Sequence, residues 1–277
     1  MTAPLIRNIS DTAAWVAIYR AMESDRDDAV FRDPYARRLA GARGQQIMEK
    51  IPVAKRHAWS YVARTFVLDT YIAQEVAAGA DMVINLAAGL DTRPYRMRLP
   101  SSLQWIEVDL PELIAYKEEI LRNEKPVCNL ERVRLDLSDV NARRALFVDL
   151  ARRAKRVMVV SEGLIIYLTA DEACELGQDL AAQPAFQRWA IDLTSPRLLK
   201  MLQRQIGSPL RDAGAPLKFA PEEGPAFFAK CGWKPLEVRS FLHAAAKLKR
   251  LPLLFRLFAL FPDSKGTKPS QIWGGGV

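Results

Sequence analysis

Histidine is nearly missing from this 277-residue sequence: His57 and His243 are the two it has, which excludes a histidine-rich metal centre. Cysteine is almost as scarce. Cys128, Cys174 and Cys231 lie far apart with no CxxC pair. That spacing argues against both a zinc site and a disulfide framework, and it fits a reducing cytoplasm. Long apolar runs are also lacking. Leu251 to Phe261 is short and interrupted by Pro252 and Arg256, so it cannot cross ~30 Å of hydrocarbon. Met1 to Ser10 has no apolar core of signal-peptide length. Repeats and low-complexity linkers are absent, so one domain over 1–277 is expected. Its parts are a helical cover over 1–80, an α/β core over 81–240, and a C-terminal helix and tail over 241–277.

Charge of one sign is not clustered, although the formal net charge is +8. Arg37-Arg38, Arg143-Arg144, Arg152-Arg153 and Lys247 to Arg250 fall in separate amphipathic segments. A nucleic-acid footprint would gather them on one face, so no nucleic-acid partner is expected. A hydrophobic fraction of 49% supports a sizeable core.

The N-terminal third reads as helical. Asp11 to Glu23 forms a helix capped by Ser10 or Asp11, Phe31 to Tyr35 breaks the pattern, and Tyr35 to Ala40 resumes it. A longer helix covers Lys55 to Ala78 and ends at Gly79. From Asp81 the pattern alternates. Apolar runs at 82–86, 103–108, 132–135, 157–161 and 188–193 read as strands, with helices at about 111–123, 139–153 and 171–183 between them. This alternation predicts a mostly parallel, doubly wound α/β sheet with helices on both faces. A helix near 221–230, a strand over Trp233 to Ser240 and a helix over Phe241 to Leu260 complete the expectation.

The chemistry is written at the strand ends. Ile84 to Arg93 reads INLAAGLDTR, a strand closing on a small-residue turn, and twenty residues after Gly89 a second strand ends in Glu107-Val108-Asp109. A tight turn brings backbone close to a ligand, and an acid at the next strand end accepts bonds from ribose hydroxyls: an adenosine half-site. A dinucleotide fold would carry GxGxxG for its pyrophosphate. Here Ala87-Ala88-Gly89 has one glycine, and Asp91 puts negative charge where phosphate would sit. S-adenosylmethionine carries a cationic sulfonium and amino group instead, so the carboxylates favour it over NAD. Asp136 ends the third strand and Glu162 the fourth. Asp109 and Asp136 are also good helix caps.

These pieces together resemble the leucine carboxyl methyltransferase-like family, bacterial branch, of the class I S-adenosylmethionine-dependent methyltransferases. Ser10 to Ala13, Phe31 to Tyr35, Asn85 to Arg96, Glu107 to Pro111, Leu135 to Leu137 and Ser161 to Leu164 with Tyr167-Leu168 carry the resemblance in order. It implies a Rossmann-like fold with a helical N-terminal cap. It further implies Arg64 on the methionine carboxylate, Ala87, Ala88 and Gly89 along the methionine part, Asp109 with Leu110 at the ribose, Asp136 with Leu137 at the adenine, and Glu162 facing the cofactor amino group. Ala87 departs from the family's usual glycine. Arg20 reads as helix-surface charge, with the family's N-terminal basic cofactor contact as its alternative role.

Methyl transfer needs collinear nucleophile, methyl and sulfur, and a carboxylate acceptor needs no general base. Arg93, Tyr95, Tyr35 and Tyr167 are candidates for orienting it; a phenol would need a base, and none stands out. Phe219, Phe227 and Phe228, beside the loop Pro209 to Pro225, are candidates for an apolar acceptor pocket as well as for core. The expected function is O-methylation of a small apolar metabolite bearing a carboxylate or hydroxyl. A protein C-terminal carboxylate, an RNA acceptor or a catalytically silent cofactor-binding protein are the alternatives. The oligomeric state is not written in the sequence.

Overall fold

The computed structural model describes residues 9–50 and 52–277. The expectations for the Ser10 side chain and for Met1 to Asn8 fall outside them. Three helices come first: α1 (Ile9–Ser24), α2 (Ala36–Lys50) and α3 (Pro52–Ala77). Asp11 lies in the first turn of α1 and pairs with Arg43 at 2.8 Å. The break in α2 comes at Gly41, whose φ of 56° leaves helical space and turns the chain between two shorter helices.

The core follows as β1 (Met82–Leu86), the single turn α4 (Arg93–Arg96), β2 (Gln104–Asp109), α5 (Pro111–Leu121), β3 (Asn129–Arg134), α6 (Val140–Arg153), β4 (Val157–Ser161), α7 (Ala170–Ala181) and β5 (Phe186–Thr194). With two late strands, β6 (Arg239–Ser240) and β7 (Gly274–Gly276), strand order is β3-β2-β1-β4-β5-β7-β6, and the five strands from β3 to β5 are parallel. Every residue of β1 and β4 is buried, as expected of central strands covered on both faces. β3, at the edge, has no buried residue. Side chains alternate across the sheet. Val83, Trp105, Met158 and Val160 pack under α3 and a later helix over Phe241–Lys247, while Ile84, Ile106 and Val159 pack with Phe147 and Leu176 of α6 and α7. The chain reverses strand order between β1 and β4, which leaves a crevice beyond their C-terminal ends.

The C-terminal third departs from expectation in several ways. A 17-residue helix, α8 (Pro196–Asp212), occupies a stretch for which no element was expected, and Pro209, expected in a loop, lies inside its last turns. The helix expected near 221–230 is a run of 3-10 turns over Gly224–Cys231. The strand expected over Trp233 to Ser240 shrinks to β6 (Arg239–Ser240). The single helix over Phe241 to Leu260 divides into α9 (Phe241–Lys247), α10 (Leu253–Arg256) and a 3-10 turn at Phe258–Leu260. Lys249, at φ 57°, leaves helical space, and Pro252 cannot donate into a continuing helix. The last strand, β7 (Gly274–Gly276), pairs antiparallel with both β5 and β6. Glycine is required there by space: a Cβ on Gly275 would lie 2.7 Å from the Arg239 carbonyl oxygen.

The cysteine reading is also corrected. Cys174 and Cys231 form a disulfide, although 57 residues separate them. Packing of α7 against the 3-10 turns brings their Cα atoms to 5.3 Å, a proximity that spacing along the chain does not encode. Their separation therefore carries no argument for a reducing compartment.

Candidate functional site

Beyond the C-terminal ends of β1, β2, β4 and β5 lies a cavity of about 1020 Å³. The turn after β1 forms part of its floor. Ala87 has φ 52° and Gly89 has φ 53°. The left-handed region costs an alanine roughly 1–2 kcal/mol and a glycine almost nothing. Strain is thus stored at Ala87, and neighbouring bonds hold the turn shut. Gly89 N–H donates to Asp109 Oδ2 at 2.6 Å, and Asp91 N–H donates to the Ala88 carbonyl at 3.0 Å.

Asp109 does not cap α5. Its Oδ1 accepts from Leu110 N–H at 2.7 Å, and no side chain caps that helix. Burial raises its pKa against these two bonds, so the carboxylate is short of donors and further hydroxyls would stabilise it. Asp136 is likewise free of capping duty. It accepts from Ser138 N–H at 2.9 Å, while Asp139 caps α6. Leu110, Leu135, Asp136 and Leu137 line the cavity beside Asp109.

Arg64 of α3 reaches across the sheet ends. Its Nε donates to Glu162 Oε1 at 3.0 Å and its Nη1 to Asp192 Oδ2 at 3.2 Å, and the guanidinium stands over the Tyr61 ring at 5.1 Å. Asp192 in turn accepts from Gly163 N–H at 2.6 Å. Asp192 is a site residue that the sequence reading missed. It falls within β5 rather than at a strand end, and its one visible signal was an acid inside an apolar run. Burial opposes ionisation of Glu162, but Arg93 and Arg64 outweigh it and hold its pKa below the usual carboxylate value.

Behind this wall sits a second layer. Arg93 is 1% exposed; its Nε donates to Asp69 at 2.6 Å and its Nη1 to Asp91 at 2.6 Å. Its Nη2 stands 2.8 Å from Glu162 without the angle of a hydrogen bond. Arg96 grips Asp69 with both Nη atoms, at 2.7 and 2.8 Å. Asn85 Nδ2 donates to Asp91 Oδ2 at 2.8 Å. The guanidinium of Arg93 is fully engaged by acids and does not line the cavity. That corrects its expected role in orienting an acceptor.

Two of the three tyrosine candidates are also turned away. Tyr95 accepts from Arg132 at 2.7 Å and packs edge-to-face on Tyr35, and neither lines the cavity, because the α4 turn and the Phe31 to Tyr35 break bury them against each other. Tyr167 does line it. Burial, with the nearby Tyr61, pushes its pKa up to about 12, so it stands there as a hydrogen-bond donor and not as a base. Arg20, expected on a helix surface, is buried instead. It donates to Asp33 at 2.9 Å and to the Leu90 carbonyl at 2.5 Å, and it lines the cavity.

The remaining wall is apolar and comes largely from the C-terminal third. Met201, Leu202, Ile206 and Leu210 of α8 face Phe255, Phe258 and Phe261 around the opening. Phe219, Phe227 and Phe228 do not contribute: they pack edge-to-face on one another inside the core, at 5.0 to 6.1 Å. Both histidines, His57 and His243, are in the cavity wall, which spacing alone did not reveal. The described residues hold no cluster of His, Cys, Asp or Glu able to bind a metal, and none of their helices is long and apolar enough to cross a membrane.

A family model described as leucine carboxyl methyltransferase matches residues 13–181. A Streptomyces coelicolor protein with the provisional name of S-adenosyl-L-methionine-dependent methyltransferase is 37% identical over 170 residues, covering 58% of this chain and 60% of its own. A Frankia alni protein with the same provisional name is 36% identical over 185 residues, covering 63% and 64%. The matched part thus spans less than two thirds of either relative. Among solved structures, a DUF574 family protein from Streptomyces avermitilis is similar in fold, with a TM-score of 0.54, 12% identity and coverage of 94% of this chain and 95% of its own. A Thermobifida fusca protein provisionally titled a methyltransferase has a TM-score of 0.51, 15% identity and coverage of 98% and 94%.

Proposed function

Because the chain belongs to the leucine carboxyl methyltransferase family, we propose that it is an S-adenosylmethionine-dependent O-methyltransferase acting on a small apolar acceptor that bears a carboxylate or hydroxyl. One observation carries the reading. A row of carboxylates, Asp109, Asp136, Glu162 and Asp192, with Arg64 among them, opens directly onto an apolar space. The polar row suits a ligand with a ribose, a cationic centre and a terminal carboxylate. The apolar space suits a second molecule, and the cavity volume stands at the upper end of the ~300–1,000 Å³ usual for single-ligand pockets.

The residues present fit the cofactor. Asp109 would accept from the ribose hydroxyls that its raised pKa calls for. Leu110 would pack beside the ribose, and Asp136 with Leu137 would hold the adenine. Arg64, held by Glu162 and Asp192 through Nε and Nη1, would turn Nη2 to the methionine carboxylate. Ala87, Ala88 and Gly89 would flank the methionine chain, and Glu162 would face its ammonium group. When bound, the cofactor supplies an electrophilic methyl on a sulfonium. An acceptor oxygen held in line with that methyl would take it, the carbon–sulfur electron pair staying on sulfur.

The protein's own part is placement. Apolar α8 side chains exclude water and hold the acceptor, and Tyr167 donates a hydrogen bond that orients it. A hydroxyl acceptor would need a base, and His243 supplies none. His243 Nε2 lies 2.9 Å from the Phe261 carbonyl, which can only accept, so Nε2 carries the proton. That leaves Nδ1 without a partner among the described residues and closed off from the open space of the cavity, so it is not within reach of an acceptor hydroxyl.

The test is isothermal titration of ligand-free protein with S-adenosylhomocysteine and with NADH. Binding of the first and not the second is expected, followed by methyl transfer in a screen of carboxylated and hydroxylated aromatics. Binding of neither to folded protein would overturn the proposal.

A further inference from the structure

The apolar rim of the cavity continues onto the surface. Leu253, Leu254, Leu257, Phe258, Leu260 and Phe261 are each between 57 and 80% exposed, and they follow one another along two short helical turns. Phe255, on the inward side with Ala259, packs on Trp59 of α3 at 6.1 Å and ties the segment to the cavity wall. A surface run of this size marks an interaction site, because water penalises so many exposed large side chains.

The charges around it state what kind of partner fits. Lys247, Lys249, Arg256, Lys265 and Lys268 are exposed around the run, and none of them forms an ion pair among the described residues. From residue 238 to 277 the sequence has one acid, Asp263. Its carboxylate is turned inward, accepting from Ser240 N–H at 3.3 Å, Lys265 N–H at 2.9 Å and Trp273 Nε1 at 3.0 Å. The face is therefore apolar at its centre and positive at its rim. A second copy of the chain fits poorly, since a two-fold contact would set these basic rims against each other. An anionic lipid surface satisfies both parts at once: acyl chains receive the Leu and Phe side chains, and phosphate headgroups meet the Lys and Arg.

We propose that residues 253–261, with the surrounding lysines and Arg256, form a docking surface by which the protein lies on an anionic bilayer without spanning it. Docking turns the mouth of the cavity, lined by Phe255, Phe258 and Phe261, toward the acyl chains. On the methyltransferase reading, the acceptor is then an amphiphile drawn from the membrane. The docking itself does not rest on that reading.

The test is co-sedimentation of the full chain with phosphatidylcholine vesicles and with mixed phosphatidylglycerol–phosphatidylcholine vesicles, at low and high salt. Binding to the mixed vesicles that salt weakens is expected. The double variant Leu254→Asp/Leu257→Asp, whose sites lie outside the cavity wall, should lose roughly tenfold or more in vesicle affinity. Its S-adenosylhomocysteine affinity and thermal midpoint should be unchanged. No binding to either vesicle, or binding that the double variant leaves intact, overturns the proposal. So does concentration-dependent self-association in lipid-free sedimentation velocity that the variant abolishes, since the face would then meet a second copy. Vesicle binding without S-adenosylhomocysteine binding supports the docking and counts against the methyltransferase reading alone.

Discussion

The two halves of the cavity are held in opposite ways. The half beneath the strand ends is a lattice of ion pairs: Arg93 and Arg96 on Asp69, Arg93 on Asp91 and Glu162, Arg64 on Glu162 and Asp192. The half above it, from α8 and residues 253–261, is mainly Leu, Ile, Met and Phe, with Arg197 and Gln205 of α8 as its polar exceptions. The family match covers residues 13–181, which contain every member of the lattice except Asp192 and nothing of α8 or the apolar rim. Directional bonds specify one ligand shape. Apolar surface accepts any molecule of roughly the right size and changes with little cost to the fold. On the proposed function, the contrast would divide a cofactor half that lies almost wholly inside the matched residues from an acceptor half outside them.

The comparison breaks most visibly at Arg93. Arg93→Met would leave Asp69, Asp91 and Glu162 short of a buried cation, a loss of about 3–5 kcal/mol of stability, read as the urea midpoint. A shift below ~1 kcal/mol would mean that the lattice relaxes into water and is not the rigid half. Next in size is ligand binding. Arg64→Ala should weaken S-adenosylhomocysteine by about 1.5–3 kcal/mol while leaving adenosine almost unaffected. Calorimetry with both ligands decides it, and equal losses would detach Arg64 from the methionine end. Asp109→Ala should cost both ligands about 1–3 kcal/mol. Equal affinity in a folded variant would remove Asp109 from the ribose.

Smaller effects sharpen the contrast. Ala87→Gly relieves left-handed strain against a gain in unfolded-chain entropy, so a net stabilisation of roughly 0.5–1 kcal/mol is expected in the thermal midpoint. Destabilisation would show that the Ala87 methyl packs productively. On the apolar side, Leu202→Ala should shift S-adenosylhomocysteine affinity by under ~0.5 kcal/mol while altering the KM of the acceptor. A cofactor effect as large as that of Arg64→Ala would erase the division between the halves.

Asp91 and Glu162 of the lattice were legible as acids just beyond strand ends and Arg64 through the resemblance, yet Asp69, Asp192 and the wiring were not. Arg93 looked free for an acceptor because its three acids come from α3, the turn after β1 and the end of β4, at 24, 2 and 69 residues' distance. Arg20 looked like surface charge because burial under Leu90 and Asp33 follows from how α1 folds back on the turn. α8 went unseen because Pro209 read as the start of a loop, although it lies inside the last turns of the helix.

What the sequence by itself determined are the features encoded by local period and order: the alternation of strands and helices, the parallel sheet, the small-residue turn, and acids at successive strand ends. Those are short-range patterns, and a strand or helix of this kind needs a buried face wherever it lands. What the tertiary structure alone decided are features made of distant residues. They include the Cys174–Cys231 bridge, the all-glycine strand β7, the pairing of Arg64 with Asp192 across 128 residues, and the position of His57 and His243 in one wall. Contacts of that range are set by the closure of the sheet and by the space left when its neighbours have packed, and no local pattern carries that information.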